Sequence, residues 1–206
     1  MDISDFYASY YSNLVIEHGD NHATIGQSKR SQKKRFEKIF QVGDLNGRSI
    51  LDVGCGLGHF YDFLVSKNWH GDYTGYDICS EVIQIARERH PDEHKRFQLV
   101  DILKEPPECR FDYVLANGPL NLPVPGIDND QLAVRFLKCI YELSRVGIVM
   151  TMTSSFTRKP SNDTYYYDPC TILKKVTNFC SNVKIDHTYL PHDFAVFCYK
   201  RDLYTD

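Results

Sequence analysis

The chain has 206 residues, 42% hydrophobic and 25% charged, which is enough for one well-buried core and too few for two ordinary domains. Its net charge of -3 supplies no general attraction to phosphate backbones, so a nucleic-acid partner would need a local basic patch. The seven cysteines form no C-x-x-C pair and no cluster with histidine, so neither a disulfide framework nor a metal site is expected. The acidic, aromatic start Met1 to Tyr11 does not read as a secretory signal, and no apolar run has membrane-spanning length. The expected address is the cytoplasm, with no membrane contact.

Along the chain, residues 1–41 precede the first strand and read as helical in part, with Phe36, Ile39 and Phe40 as the apolar side; they are expected to cover a site. Ser49 to Val53 then opens an alternation of apolar runs and helical patterns. Further strands are expected at Asp72 to Tyr76, Phe97 to Val100, Phe111 to Leu115 and Gly147 to Thr151. Helical stretches lie at Phe60 to Lys67, Ser80 to Arg89 with Ser80 as its cap, Asp130 to Leu143, and from Asp168-Pro169 onward. Such alternation predicts a mainly parallel sheet with helices on both faces. Val183 to Tyr189 and Phe194 to Tyr199 are two more strands, and the four residues between them leave no room for a crossover helix, so the pair must be antiparallel.

The chemistry concentrates at Asp52-Val53-Gly54-Cys55-Gly56-Leu57-Gly58, where a buried strand ends in a glycine-rich turn and leads into a helix. Glycines there let backbone approach a ligand closely. The spacing is G-x-G-x-G, and the position of the third glycine of a dinucleotide fingerprint holds His59. Acidic or polar residues follow three later strands: Asp77 after Tyr73 to Tyr76, Asp101 after Phe97 to Val100, and Asn117 after Phe111 to Ala116.

These four elements in this order resemble the motifs of the class I S-adenosylmethionine (SAM)-dependent methyltransferases over Gly47 to Lys200. The resemblance implies a single Rossmann-like α/β domain with a seven-stranded sheet ending in the antiparallel hairpin, SAM as cofactor and S-adenosylhomocysteine (SAH) as product. It also implies cofactor contacts from Asp52, Gly54, Cys55, Gly56 and Gly58, from Asp77 and Ile78 at the ribose, from Asp101 and Ile102 at the adenine, and from Ala116 and Asn117 where cofactor and acceptor meet. Tyr11 is expected to close the site from the cover. Asp52 either holds the glycine loop or reaches the amino group of the methionine moiety, and both roles need it ionised.

Glu17-His18-Gly19-Asp20, Ser31-Gln32-x-x-Arg35-Phe36 and Leu190-Pro191-His192-Asp193-Phe194 further resemble a group of small bacterial methyltransferases. Should the acceptor need a base, His18, His22, His187 and His192 are candidates, and His192 has the best topological argument because the sixth strand runs parallel to the first. Asn117-Gly118-Pro119-Leu120 departs from the N-P-P-aromatic motif of amine methylation at Gly118 and Leu120, and reads as a backbone shape. Lys29-Arg30 with Lys33-Lys34-Arg35 is a candidate anion site, and Tyr165-Tyr166-Tyr167 is expected beside the acceptor pocket. A small-molecule acceptor is the leading expectation; RNA or protein methylation and non-catalytic SAM binding are the alternatives.

Overall fold

The computed structural model describes residues 2–26 and 28–201; Met1, Gln27 and residues 202–206, which fall within the expected domain of 1–206, lie outside the described residues. In chain order the elements are α1 (Ile3–His18), α2 (Lys29–Ile39), β1 (Ser49–Val53), α3 (His59–Ser66), β2 (Asp72–Asp77), α4 (Ser80–Arg89), β3 (Phe97–Leu99), β4 (Phe111–Asn117), α5 (Asn129–Leu143), β5 (Ser144–Thr153), α6 (Pro169–Val176), β6 (Asn182–Leu190) and β7 (Asp193–Tyr199). They form one seven-stranded sheet in the order β3-β2-β1-β4-β5-β7-β6.

The apolar runs read as strands are those whose residues sit in the middle of this sheet. Ile50, Leu51, Val114, Ile148, Val149 and Met150 are fully buried, as expected for parallel strands covered on both faces. β1, β2, β3, β4 and β5 pair in parallel, whereas β7 pairs antiparallel with both β5 and β6. Reversing twice returns β6 to the direction of β1, so the tip of the β6–β7 hairpin lies at the carboxyl edge of the sheet, where the glycine turn also lies. Two apolar layers result: one holds Phe136, Leu137 and Ile140 of α5 with Ile172 of α6, the other Phe36 and Ile39 of α2 with Phe60, Leu64 and Ile83.

The caps follow local chemistry. Asp168 accepts from the N–H groups of Cys170 (2.7 Å) and Thr171 (3.4 Å) ahead of Pro169 at the first helical position. At α4 the expectation fails: Cys79 stands at the cap position, and Asp77 Oδ1 accepts its N–H at 3.0 Å while Ser80 turns its hydroxyl to Glu81. All seven cysteines are free; Cys55, Cys79, Cys180 and Cys198 are buried, Cys139 is half-buried, and Cys109 and Cys170 are exposed. No helix among the described residues is long and apolar enough to cross a membrane.

Candidate active site

The carboxyl ends of β1, β2 and β4 and the turn after β3 open into one cleft. Its unfilled volume is about 1070 Å³ including the mouth, and it is lined by Asp52, Gly54, Cys55, Gly56, Asp77, Ile78, Asp101, Ile102, Asn117 and Tyr11. Gly58 and Ala116, expected beside the cofactor, are not among the lining residues. Gly58 caps α3 with φ +80° and packs against His90 and Phe97, and Ala116 is fully buried inside β4.

The glycine turn is held from below by a carboxylate. Asp77 Oδ2 accepts the Gly56 N–H at 3.0 Å and Oδ1 accepts from Cys79, so one side chain ties the turn to the start of α4. Burial raises its pKa, while these backbone N–H groups pull it down. Gly56 has φ +56°, and a Cβ there would stand 3.1 Å from Ile25, so both the backbone conformation and the neighbouring cover require glycine. Gly75, inside β2, was not singled out in the sequence: a Cβ at that point would meet Cys55 at 2.9 Å, so its absence lets the turn lie down on the sheet. A glycine within a strand was the available signal.

Asp52 is buried and accepts the Tyr73 hydroxyl at 2.7 Å. Its pKa is pushed up to about 7, chiefly by burial, with the Tyr73 bond opposing and Asp77 adding to the rise. Both expected roles of Asp52 need the ionised form, which its burial in the ligand-free protein opposes. Asp101 accepts from the Leu103 N–H at 3.0 Å and from the Ser4 hydroxyl of α1. Asn117 Oδ1 accepts from Thr151 at 3.0 Å.

The cover contributes more than Tyr11. Ser4 and Tyr7 of α1, Ile25, and Gln32 and Phe36 of α2 also line the cleft. In the sequence Tyr7 and Phe36 have only a general place in the cover, and Ser4, Ile25 and Gln32 have no cofactor role, because which face of a helix meets a cleft depends on how it docks. His59 lines it too; burial first, then Arg89 and His22, hold its imidazole down at about 4, so it is uncharged at neutral pH. His22 stacks on His59 with ring centres 4.4 Å apart. The two rings border a polar side chamber with Asp20, Lys29, Asp62 and Arg89.

None of the four base candidates lines the cleft itself, His22 bordering only the side chamber. His18 is 3.6 Å from Glu17, His187 contacts Ser154 Oγ at 2.8 Å, and His192 accepts the Ser154 N–H through its backbone carbonyl. The candidate anion run is divided, because Arg35 is buried against Asp193 while Lys29 and Arg30 remain exposed. Tyr165 and Tyr167, expected beside the acceptor pocket, stand behind the lining and not in it: Tyr167 is fully buried and donates to the Leu120 carbonyl at 2.5 Å, and Tyr165 donates to Asp130 at 3.2 Å. They buttress the wall formed by Asn117 to Leu120.

SAM presents a nucleoside with two ribose hydroxyls and a zwitterionic methionine tail. The cleft has matching features, namely a carboxylate at the end of β2, a close-approach glycine turn, an apolar recess at Ile78, Val100 and Ile102, and an acidic side chain beneath the turn. The residues present therefore fit the cofactor.

A family profile described as a methyltransferase domain matches residues 44–189. The Mycobacterium tuberculosis methyltransferase Rv1506c is 27% identical over 157 residues, covering 74% of this chain and 93% of that protein. Malonyl-[acyl-carrier protein] O-methyltransferase of Acetivibrio thermocellus is 32% identical over 90 residues, covering 42% of this chain and 32% of that enzyme. Among solved structures, the DhpI–SAH complex superposes with a TM-score of 0.71 at 16% identity, covering 95% of this chain and 96% of the other, a likeness of fold. The motif order, the sheet order and the profile agree: the chain belongs to the class I SAM-dependent methyltransferases.

Proposed function

We propose that this enzyme methylates a small-molecule acceptor by direct in-line transfer, with SAM bound along the carboxyl edge of the sheet. The observation that carries the placement is the convergence of Asp52, Asp77, Asp101 and Asn117, from the ends of four different strands, on one cleft. A small acceptor is favoured because α1 and α2 both line the cleft, leaving little room for a large surface to approach, and because the basic run loses Arg35 to a buried pair. Curated relatives are named for fatty acids, for a malonyl group on acyl-carrier protein and, in Mesomycoplasma hyopneumoniae, for ribosomal RNA, so RNA or protein is the rival reading.

In this reading Asp77 holds the ribose. Each carboxylate oxygen already accepts one backbone N–H, and each has a further acceptor site for a hydroxyl. Asp101 receives the adenine amino group beside Ser4, with Ile78 and Ile102 against the ring. Asp52, once ionised, pairs with the ammonium of the methionine tail. When bound, SAM would supply a methyl group already activated by its sulfonium, for the acceptor's lone pair, with the carbon–sulfur electron pair left on sulfur. The protein's part is to fix the acceptor in line and exclude water, which is worth up to about 7 to 11 kcal/mol. Of the histidines proposed as a base, His22 is the one stacked on a cleft-lining ring.

Calorimetry tests the placement. The protein should bind SAM and SAH and not nicotinamide dinucleotides, and Asp77→Ala should weaken SAH binding by roughly 1.5 to 3 kcal/mol, the scale of a hydrogen bond to a charged group. Unchanged affinity in a folded Asp77→Ala protein would place the ribose elsewhere. An acceptor screen with labelled SAM, in which only RNA gains label, would overturn the small-molecule reading.

A further inference from the structure

Two segments that the cofactor motifs leave unused, Ser31-Gln32-x-x-Arg35-Phe36 and Leu190-Pro191-His192-Asp193-Phe194, meet in the fold. Arg35 donates to Asp193 Oδ2 through Nε at 2.7 Å and Nη2 at 2.5 Å, with the two side chains 7% and 1% exposed. The Tyr189 hydroxyl donates to the other carboxylate oxygen. An ion pair this buried commonly gains nothing over apolar residues of similar volume, so its value is sought in the geometry it enforces.

That geometry joins the two walls of the cleft. Gln32 lies one turn before Arg35 on the buried face of α2, lines the cleft, and sets its Nε2 3.3 Å from His59 Nδ1. Phe36, the next residue on that face, lines the cleft as well. On the other side, Asp193 stands opposite Thr153 in the β5–β7 ladder. Thr153 Oγ1 donates to the Tyr165 carbonyl at 2.5 Å and lies 3.2 Å from Asn121 Oδ1, in the loop that begins with the lining residues Asn117 to Leu120. A guanidinium–carboxylate contact is directional, whereas an apolar contact of equal size lets a helix rotate or slide.

We propose that Arg35 and Asp193 are positioning residues for methyl transfer, their buried pair setting the distance between the α2 wall and the Asn117–Leu120 wall and holding Gln32 against His59. The proposal rests on SAM occupying this cleft. Neither residue lines the cleft: Arg35 acts through Gln32 and Phe36, which do, and Asp193 through Thr153 and Asn121, which adjoin the lining segment Asn117 to Leu120.

The test uses the full chain, SAH as the probe, and NMR of the His59 ring, which is faced by Arg89, His22, Asp62 and Asp20. Wild-type binding of SAH comes first; without it the functional reading fails, and this proposal with it, before any variant is made. The double variant Arg35→Met with Asp193→Leu refills the space without the directional bond. It is expected to melt near the wild-type temperature, to bind SAH at least tenfold more weakly, and to show His59 titrating at higher pH as the ring loosens. Lys38→Met removes a second buried cation from α2 but leaves Asp186 its contacts with Lys184 and Thr188, and should leave SAH affinity within twofold. Should the double variant not fold, Arg35→Lys decides, with severalfold weaker SAH binding expected. Wild-type SAH affinity and His59 titration in the double variant, or in Arg35→Lys if that is the one that folds, would overturn the proposal, as would an equal loss of affinity in Lys38→Met.

Discussion

The two helices ahead of the sheet both line the cleft, yet they are attached by different physics. α1 fully buries one side chain, Tyr7, and packs Ile3, Phe6, Tyr11 and Val15 half-buried against the core; its ion pair and hydroxyl contacts lie nearer solvent: Ser4 to Asp101, Ser12 to Glu81 and Asp2 to Lys104. Exposed pairs of this kind are screened by water and salt and contribute little. α2 is shorter but buries Gln32, Arg35, Phe36, Lys38 and Ile39, and carries two buried ion pairs, Arg35 with Asp193 and Lys38 with Asp186. Burial raises the Asp186 pKa, but its bonds to Thr188 and Lys38 outweigh that and hold the carboxyl below the ordinary range. The difference teaches which wall of the cleft can move. We propose that α2 is part of the scaffold and that α1, with fewer fully buried side chains, is the element that opens and closes over a ligand.

The sharpest way to break this comparison is to attack the anchored helix. Arg35→Ala leaves the Asp193 carboxylate buried without its cation, and should cost about 3 to 5 kcal/mol in urea unfolding. A loss below about 1 kcal/mol would mean that α2 is not anchored as described. A deletion of residues 1–18 attacks the other helix: the sheet should remain folded, while SAH binding weakens about tenfold, or ~1.4 kcal/mol, through loss of Ser4, Tyr7 and Tyr11. In the intact chain, hydrogen exchange over residues 5–18 should slow on SAH binding while exchange in α2 stays slow throughout. Identical exchange in α1 with and without SAH would make it a fixed wall like α2.

A smaller effect tests how dry the cleft is beneath this cover. The Asp52 pKa near 7 in the folded protein exceeds the ordinary carboxylate value, so the native state holds the extra proton between about pH 4 and pH 7. The contribution of this group to stability is therefore fully present below pH 4, is lost as pH rises to 7, and is constant above. Relative to Asp52→Asn, the ligand-free protein should lose stability over that window. SAH affinity should change in the opposite sense, rising severalfold from pH 6 to pH 8 as Asp52 ionises to meet the ammonium group, with no such rise in Asp52→Asn. A flat comparison in both measurements would show that water reaches Asp52 freely and that its pKa is ordinary.

Much of the scaffold was legible in the residues themselves. Period and turn chemistry are local, so buried apolar runs, the glycine turn at Gly54 to Gly58 and the four-residue link before Asp193 each report on their own neighbourhood. A family resemblance supplied the order of Asp52, Asp77, Asp101 and Asn117, and their shared cleft follows from parallel strands ending at one edge. What could not be read locally is pairing across the chain. Arg35 sits in a basic run and looks like a solvated charge, and only docking of α2 on the β6–β7 hairpin, 158 residues away in sequence, turns it into a buried ion pair. The tyrosines at 165–167 look like pocket residues, and only the packing of their loop on Leu120 and Asp130 makes two of them supports. Asp52 has the same side chain in any setting, but its charge depends on how much water the folded chain removes around it. The sequence by itself determined the elements, their order and the glycine turn, because those depend on near neighbours along the chain. Only the tertiary structure decided which charges are buried, which helix is anchored and which side chains face the cleft, because dielectric environment and long-range contact come into being when the layers pack.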